Sequence, residues 1–317
     1  MKNNPLISII TPSYNQSDYL EMAMLSVLTQ DYPNLEYIVV DGNSTDGSQE
    51  IIKKYADRLA WWVSENDNGQ ADAFNKGLNH ANGKYIGWLN SDDLFLEHAI
   101  TEAVEILEMN PDIAFVFGNV QSINQDGVIT NIMKYGNWDI LDLMKFKIIG
   151  QPAVFMRKDL LVSIGGLDPS FHFLLDHQLW LKLASTASIK YSNKLWAAAR
   201  FHAEAKNIAH AEKFGEEAYR LVEWMEKNPD LNQMFLNHHT KIIAGAHRMD
   251  ARYLLDGEKY NESVKTYWQG MKLDFFTVLP ELHRMIYAIF APLGLKQVKN
   301  LYLKLKFWAK RPDLKGK

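Results

Sequence analysis

Leu6-Ile7-Ser8-Ile9-Ile10 is a short apolar run rich in β-branched residues, and it breaks at Thr11-Pro12-Ser13-Tyr14-Asn15. Leu20, Ala23, Met24, Val27 and Leu28 then recur at the spacing of a helix face. Tyr37-Ile38-Val39-Val40 is a second strand-length run, ending in Asp41 and the turn-forming Gly42-Asn43-Ser44-Thr45-Asp46-Gly47. A helix, the run Ala60-Trp61-Trp62-Val63, another helix carrying Ala71, Phe74 and Leu78, and the run Tyr85-Ile86-Gly87-Trp88-Leu89 follow. Strands alternating with helices of this length predict an α/β fold with a mostly parallel sheet covered on both faces.

After Pro111 the pattern changes. Ile113–Phe117 and Val128–Ile132 flank Gln125-Asp126-Gly127, which predicts a hairpin. Beyond about residue 205 the spacing is almost entirely helical, and Tyr253 to Gly270 reads as one helical hairpin of tetratricopeptide type, too little for a solenoid. We therefore expect a domain over 1–205 and a helical region over 206–317. Its end, from about 296 to 317, carries eight Lys/Arg against Asp313, with Leu301, Leu305 and Trp308 between the cations. That tail reads as a basic terminal helix packed on its own domain, with an amphipathic helix lying on an anionic membrane surface as the sharper alternative.

Composition narrows the function classes. With 47% apolar and 23% charged residues in a chain of 317, the protein can build its own core without staples. It has no cysteine, which removes thiol nucleophiles and thiolate metal sites. A net charge of −4 argues against nucleic acid as a partner. The polar start and the lack of a long apolar run predict a cytoplasmic protein, associated with the membrane's inner face through the tail.

In an open parallel sheet, ligands collect at the carboxyl ends of the strands. Four polar clusters fall there: Thr11–Asn15, Asp41–Asp46, Asp67–Asp72 and Asn90–Asp93. Each alone is readable as a helix cap. Adjacent carboxylates such as Asp92 and Asp93 repel unless a cation or protons offset them. With oxygen ligands on offer, Mg²⁺ or Mn²⁺ fits, its shell completed by phosphate oxygens and water. No G-x-G-x-x-G is present, and the stretch from Gly77 to Gly83-Lys84-Tyr85 has the wrong spacing for a P-loop.

The ordered set Ser8–Asn15, Val39–Ser48 and Trp88–Asp93, continuing through Gln151–Phe155, Gly165–Asp168 and Asp176–Trp180, resembles the family 2 glycosyltransferases of GT-A fold over roughly residues 5 to 205. The resemblance implies inverting transfer of a sugar from a nucleoside diphosphate donor to an acceptor hydroxyl. It implies that Thr11, Pro12, Tyr14, Asn15 and Asn43 border the nucleotide, and that Asp41 accepts the base imino N–H, which favours a UDP-sugar and leaves dTDP open. Asp72 and Lys76 would border the ribose and diphosphate. Asn90-Ser91-Asp92-Asp93 resembles the family's DXD element with Asn at its first acidic position, leaving open which of Asp92 and Asp93 is the direct metal ligand. Arg200 and His202 resemble a later element reaching the diphosphate or the metal. Asp176 corresponds to the catalytic base, with Leu175 in place of a common Glu; a helix cap is its alternative. Gln151, His177 and Trp180 would shape the acceptor pocket, with core packing the alternative for Trp180.

The expected acceptor is a saccharide, or a lipid-linked saccharide of bacterial surface-polysaccharide synthesis. Two rival functions are weighed. A nucleotidyltransferase would open with a Gly-rich basic loop, and Thr11–Asn15 holds neither Gly nor Arg/Lys. A non-catalytic nucleotide-sugar-binding or scaffold protein acting through the helical region would have no need of Asp92, Asp93 and Asp176.

Overall fold

The computed structural model describes residues 4–202 and 211–293. The basic tail expected over 296–317 lies outside the described residues. The chain divides into two compact units. Among the described residues, the first comprises 4–143 and 148–202, and the second 144–147 and 211–293.

The first unit is built on one mixed sheet. Strands β1 (Ile7–Ser13), β2 (Leu35–Asp41), β3 (Trp61–Ser64) and β4 (Tyr85–Trp88) form where the β-branched and aromatic runs predict them, with helices α1 (Ser17–Leu28), α2 (Ser48–Lys54) and α3 (Gln70–His80) between. They pair in parallel in the order β3-β2-β1-β4. Beyond β4 the pairing mixes. Strand β8 (Val154–Arg157) runs antiparallel to both β4 and β6 (Ile113–Asn124), and β9 (Ser188–Phe201) lies parallel to β6. The short β5 (Leu94–Phe95) closes the edge against β9, and β7 (Ile129–Met133) pairs with β6 as the hairpin pattern requires.

Leu20, Met24 and Val27 of α1 are fully buried beside Ile7, Ile9, Tyr37 and Val39 of the sheet, so the helical spacing read from the sequence is the face that packs. Helix α4 (Ala99–Met109) covers the same layer with Ile100, Ala103 and Leu107. Helix α7 (Leu175–Thr186) is different: His177, Gln178, Leu179, Trp180 and Leu181 are all buried in succession, so it presents no polar face along that stretch.

The second unit is helical. Its described helices are α8 (Ala211–Lys227), α9 (Asn232–Asp256), α10 (Tyr260–Leu273), α11 (Phe275–Val278) and α12 (Leu282–Phe290). Ala244, Ala251, Tyr267, Val278 and Met285 form its apolar centre. Buried Glu281 accepts from the Arg252 guanidinium and, at 3.0 Å, from the Tyr267 hydroxyl. Burial alone would raise the Glu281 pKa, but Arg252, Arg284 and Arg248 outweigh it and hold it down at about 2. No helix among the described residues is long and apolar enough to cross a membrane.

Candidate active site

Parallel pairing aligns the carboxyl ends of three strands, so that Ser13, Asp41 and Ser64 lie side by side across β1, β2 and β3. Asp41 is fully buried there. Its Oδ2 accepts the Ser44 amide at 2.9 Å and the Ser64 hydroxyl at 2.6 Å, while Oδ1 accepts the Ser44 hydroxyl at 2.5 Å. A carboxylate offers about four acceptor positions, so a base N–H approaching Asp41 must take the last one or displace a serine. Neither serine was singled out from the sequence.

The loops beyond these strands are tied together. Asn15, held at φ 49°, donates its amide to Ser44 Oγ and accepts the Thr45 amide at its side-chain oxygen. Asn43 Nδ2 donates to Asn66 Oδ1 at 3.1 Å. A Cβ on Gly42 would sit 2.8 Å from Asp67 Oδ2 and 3.1 Å from the Tyr14 ring, so a side chain there would push these two groups aside. Tyr14 itself is largely exposed, leaving its ring face available to a flat ligand. Asp72 accepts the Asn68 amide, and Lys76 lies 3.1 Å from Glu65 and 3.6 Å from Asp72, so that lysine's charge is already partnered. Thr11 differs from its expected role: its hydroxyl is buried and accepts from Tyr37 at 3.1 Å, and with buried Pro12 it supports the loop from beneath.

A second network follows β4. Asn90 accepts Gln70 Nε2 at 2.7 Å and donates Nδ2 to Gln151 Oε1 at 2.9 Å; Gln151 Nε2 in turn donates to the Trp88 carbonyl. Asp93 Oδ1 accepts the Arg200 amide at 2.9 Å. Burial, and then the charge of Asp92, push the Asp93 carboxyl well above the usual carboxylate range. Asp92 Oδ2 lies 3.1 Å from His202 Nε2, and the Asp92 side chain keeps 22% of its exposure whereas Asp93 keeps 6%. Buried Ser91 precedes the pair.

Among the described residues, no group of three His, Asp or Glu side chains is spaced to enclose a metal. The arrangement nevertheless fits a cation held largely by its substrate. A reachable carboxylate stands beside an imidazole, and a buried carboxylate next to it gains from any added positive charge.

Other expected contacts take structural roles. Arg200 donates Nε to the Asp92 carbonyl and Nη1 to the carbonyls of Asn124 and Gln125, and its guanidinium lies 4.7 Å from the Tyr19 ring centre. These bonds brace the Asp92 loop through Nε and Nη1. Gln151 is buried with both ends of its amide engaged, so it positions Asn90 instead of meeting an acceptor. Trp180 is fully buried against Phe115, with ring centres 5.4 Å apart. His177 is equally buried, its Nε2 3.0 Å from the Leu143 carbonyl. Neither reaches solvent.

Burial lowers the His177 pKa to about 4, against an ordinary 6.5. The unfolded chain therefore binds the extra proton between those values, so stability is full above about pH 6.5 and falls as pH drops toward 4. Relative to His177→Gln, the native chain should lose on the order of 3 kcal/mol of unfolding free energy between pH 7 and 4, measured by urea titration at each pH.

Asp176 opens α7, half-buried, and its Oδ1 accepts the His177 amide at 2.7 Å. It is close enough to Tyr135 that its charge adds to burial in raising that phenol's pKa. The Tyr135 hydroxyl accepts the Gly150 amide at 2.9 Å, one residue before Gln151.

A mixed sheet with acidic loops at its carboxyl edge defines an open α/β class with a ligand crevice at that edge. Residues 8–157 match the family model "Glycosyl transferase family 2". The putative teichuronic acid biosynthesis glycosyltransferase TuaG of Bacillus subtilis is 33% identical over 193 residues, covering 59% of this chain and 75% of TuaG. The Escherichia coli UDP-Glc:alpha-D-GlcNAc-diphosphoundecaprenol beta-1,3-glucosyltransferase WfgD is 28% identical over 214 residues, covering 67% of this chain and 82% of WfgD. Among solved structures, Staphylococcus aureus TarS 1–349 superposes with a TM-score of 0.61 at 19% identity, covering 94% of this chain and 89% of TarS 1–349. The same TarS segment is also known in complex with UDP-GlcNAc. The mannosyltransferase PcManGT of Pyrobaculum calidifontis, solved with GDP-Man and Mn²⁺, gives a TM-score of 0.56 at 18% identity, covering 97% of this chain and 81% of PcManGT. The chain belongs to glycosyltransferase family 2 and has the GT-A fold.

Proposed function

We propose that this glycosyltransferase is inverting and metal-assisted, and moves a sugar from a UDP-sugar to a hydroxyl of a lipid-linked saccharide during surface-polysaccharide assembly at the inner face of the membrane. The carrying observation is the Asn90–Asp93 loop, where reachable Asp92 pairs with His202 beside buried Asp93. Relatives whose names denote teichuronic acid synthesis and glucosyl transfer to a diphosphoundecaprenol carrier support the pathway. A GT-A neighbour in complex with UDP-GlcNAc supports the donor.

In this reading Tyr14 stacks on the nucleobase and Asp41 accepts its imino N–H, exchanging a serine hydrogen bond to do so. Asn15 and Asn43 fix the loops that carry that contact, and Asp72 borders the ribose. Asp92 and His202 hold a Mn²⁺ or Mg²⁺ ion, which would supply positive charge to the departing diphosphate. Asp93, Ser91, Asn90 and Gln151 keep Asp92 in register. Asp176 removes the proton of the acceptor hydroxyl as its oxygen bonds to the anomeric carbon and the bond to the diphosphate breaks.

Incubation with a panel of UDP-sugars, Mn²⁺ and a polyprenyl-diphosphate-linked sugar should release UDP and yield a product of inverted anomeric configuration by NMR. Release of pyrophosphate would indicate nucleotidyl transfer, and inertness toward every donor would indicate a binding or scaffold protein.

A further inference from the structure

The helical unit contains a pocket of about 390 Å³ whose lining includes Lys145, Lys147, Lys241, Arg248, Asp274 and Phe276. That volume falls in the range of small-ligand sites. Four of these side chains are cationic, and the one acid is occupied: Asp274 accepts the Thr277 amide at 2.8 Å as the cap of α11.

Arg248 is only 8% exposed. Its Nη1 donates to the Thr277 carbonyl at 2.8 Å and its Nη2 to the carbonyls of Lys145 and Phe146 at 2.9 and 3.0 Å, while its Nε has no partner. No carboxylate stands within ion-pair distance of it among the described residues. Glu281, whose charge it feels, is engaged by Arg252, Arg284 and the Tyr267 hydroxyl. A buried guanidinium whose nearest counter-charge is already shared with two other arginines is costly, and an anion in the pocket would offset that cost. Lys241 is exposed and makes no ion pair among the described residues.

The pocket opens beside apolar surface. Phe276 is 78% exposed, and its neighbours Phe275 and Leu279 are also exposed. On α12, Ile286, Ile289 and Phe290 are exposed, while Met285 and Ala288 are buried. A freely soluble anion would leave these side chains in water, whereas an anion carried by a bilayer would bury them.

We infer that this pocket receives the phosphate headgroup of an anionic phospholipid, with Phe276 and its apolar neighbours entering the acyl boundary. The site is formed by 144–147 and the described helices, and it does not depend on the sugar-transfer reaction.

The test is sedimentation of the full chain with phosphatidylcholine vesicles, with and without phosphatidylglycerol, comparing the native protein with Lys241→Glu and Phe276→Ser. Both positions are exposed, so folding is preserved, and the tail is identical in all three proteins, so its contribution cancels. Partitioning onto phosphatidylglycerol vesicles should fall by about tenfold for Lys241→Glu and by about fivefold for Phe276→Ser, with soluble-donor turnover unchanged. Equal partitioning of all three proteins would overturn the proposal. So would a thermal shift with inorganic phosphate that Lys241→Glu abolishes while vesicle binding stays the same, because the pocket would then serve a soluble anion.

Discussion

Asp176→Asn should lower the rate of sugar transfer by about three orders of magnitude while UDP binds within about twofold of the native affinity. A positioned general base is worth roughly 10²–10⁴ in rate. Asn retains the volume and the oxygen that accepts the His177 amide, so the start of α7 keeps its geometry. Only the proton-accepting charge is lost, and that charge acts in the chemical step, not in donor capture. Isothermal titration with UDP and a single-turnover assay with donor and acceptor separate the two effects. Near-native transfer by the variant would remove Asp176 from the chemistry and leave it as a cap of α7. Loss of UDP binding alongside activity would instead assign it to the donor side.

The first four strands were legible because each is a compact apolar run ended by turn residues with a helix between it and the next, although their order in the sheet, β3-β2-β1-β4, departs from chain order. The far half of the sheet was not legible. Strand β5 has two residues, too few for any periodicity, and the reversal of β8 between β4 and β6 is a long-range pairing that no local pattern encodes. The acidic clusters were located correctly at strand ends, but which of their atoms face solvent depends on packing. Thr11 turns its hydroxyl inward to Tyr37, and Gln151 spends both ends of its amide on neighbours. In α7, five consecutive buried residues abolish the amphipathic phase that would have assigned Trp180 and His177 to the core.

The departure at position 90 also acquires a physical reason. Asn90 points its amide toward Asp93 Oδ2, 3.4 Å away, and donates to Gln151. An aspartate there could donate to neither and would set a third carboxylate beside one already strained by burial and by Asp92. Gln70, which completes the network, lies in the Asp67–Asp72 cluster, but its bond to Asn90, twenty residues on, is a contact that no local pattern encodes.

Asp92→Asn and Asp93→Asn should behave oppositely, although the residues are adjacent. Asp92 is the reachable member of the pair and stands 3.1 Å from His202. Its replacement should abolish the rise in melting temperature that Mn²⁺ gives in the presence of UDP, and should lower kcat/KM by about 100-fold or more. Asp93 is enclosed, with its carboxyl pKa raised by burial first and by Asp92 second. For an acid whose pKa is raised on folding, the unfolded chain gives up the proton sooner, so stability falls as pH rises from the ordinary aspartate range through the raised value. At pH 7 without metal, Asp93→Asn removes that cost and can still accept the Arg200 amide, so its melting temperature should equal or exceed that of the native chain. The difference between the two proteins should vanish only as pH falls below the ordinary aspartate range, where Asp93 is protonated in both states. Equal loss of the Mn²⁺ response in both variants at pH 7 would assign the cation to the carboxylates jointly. Retention of the response by Asp92→Asn would overturn the pairing of Asp92 with His202 as the metal-holding group.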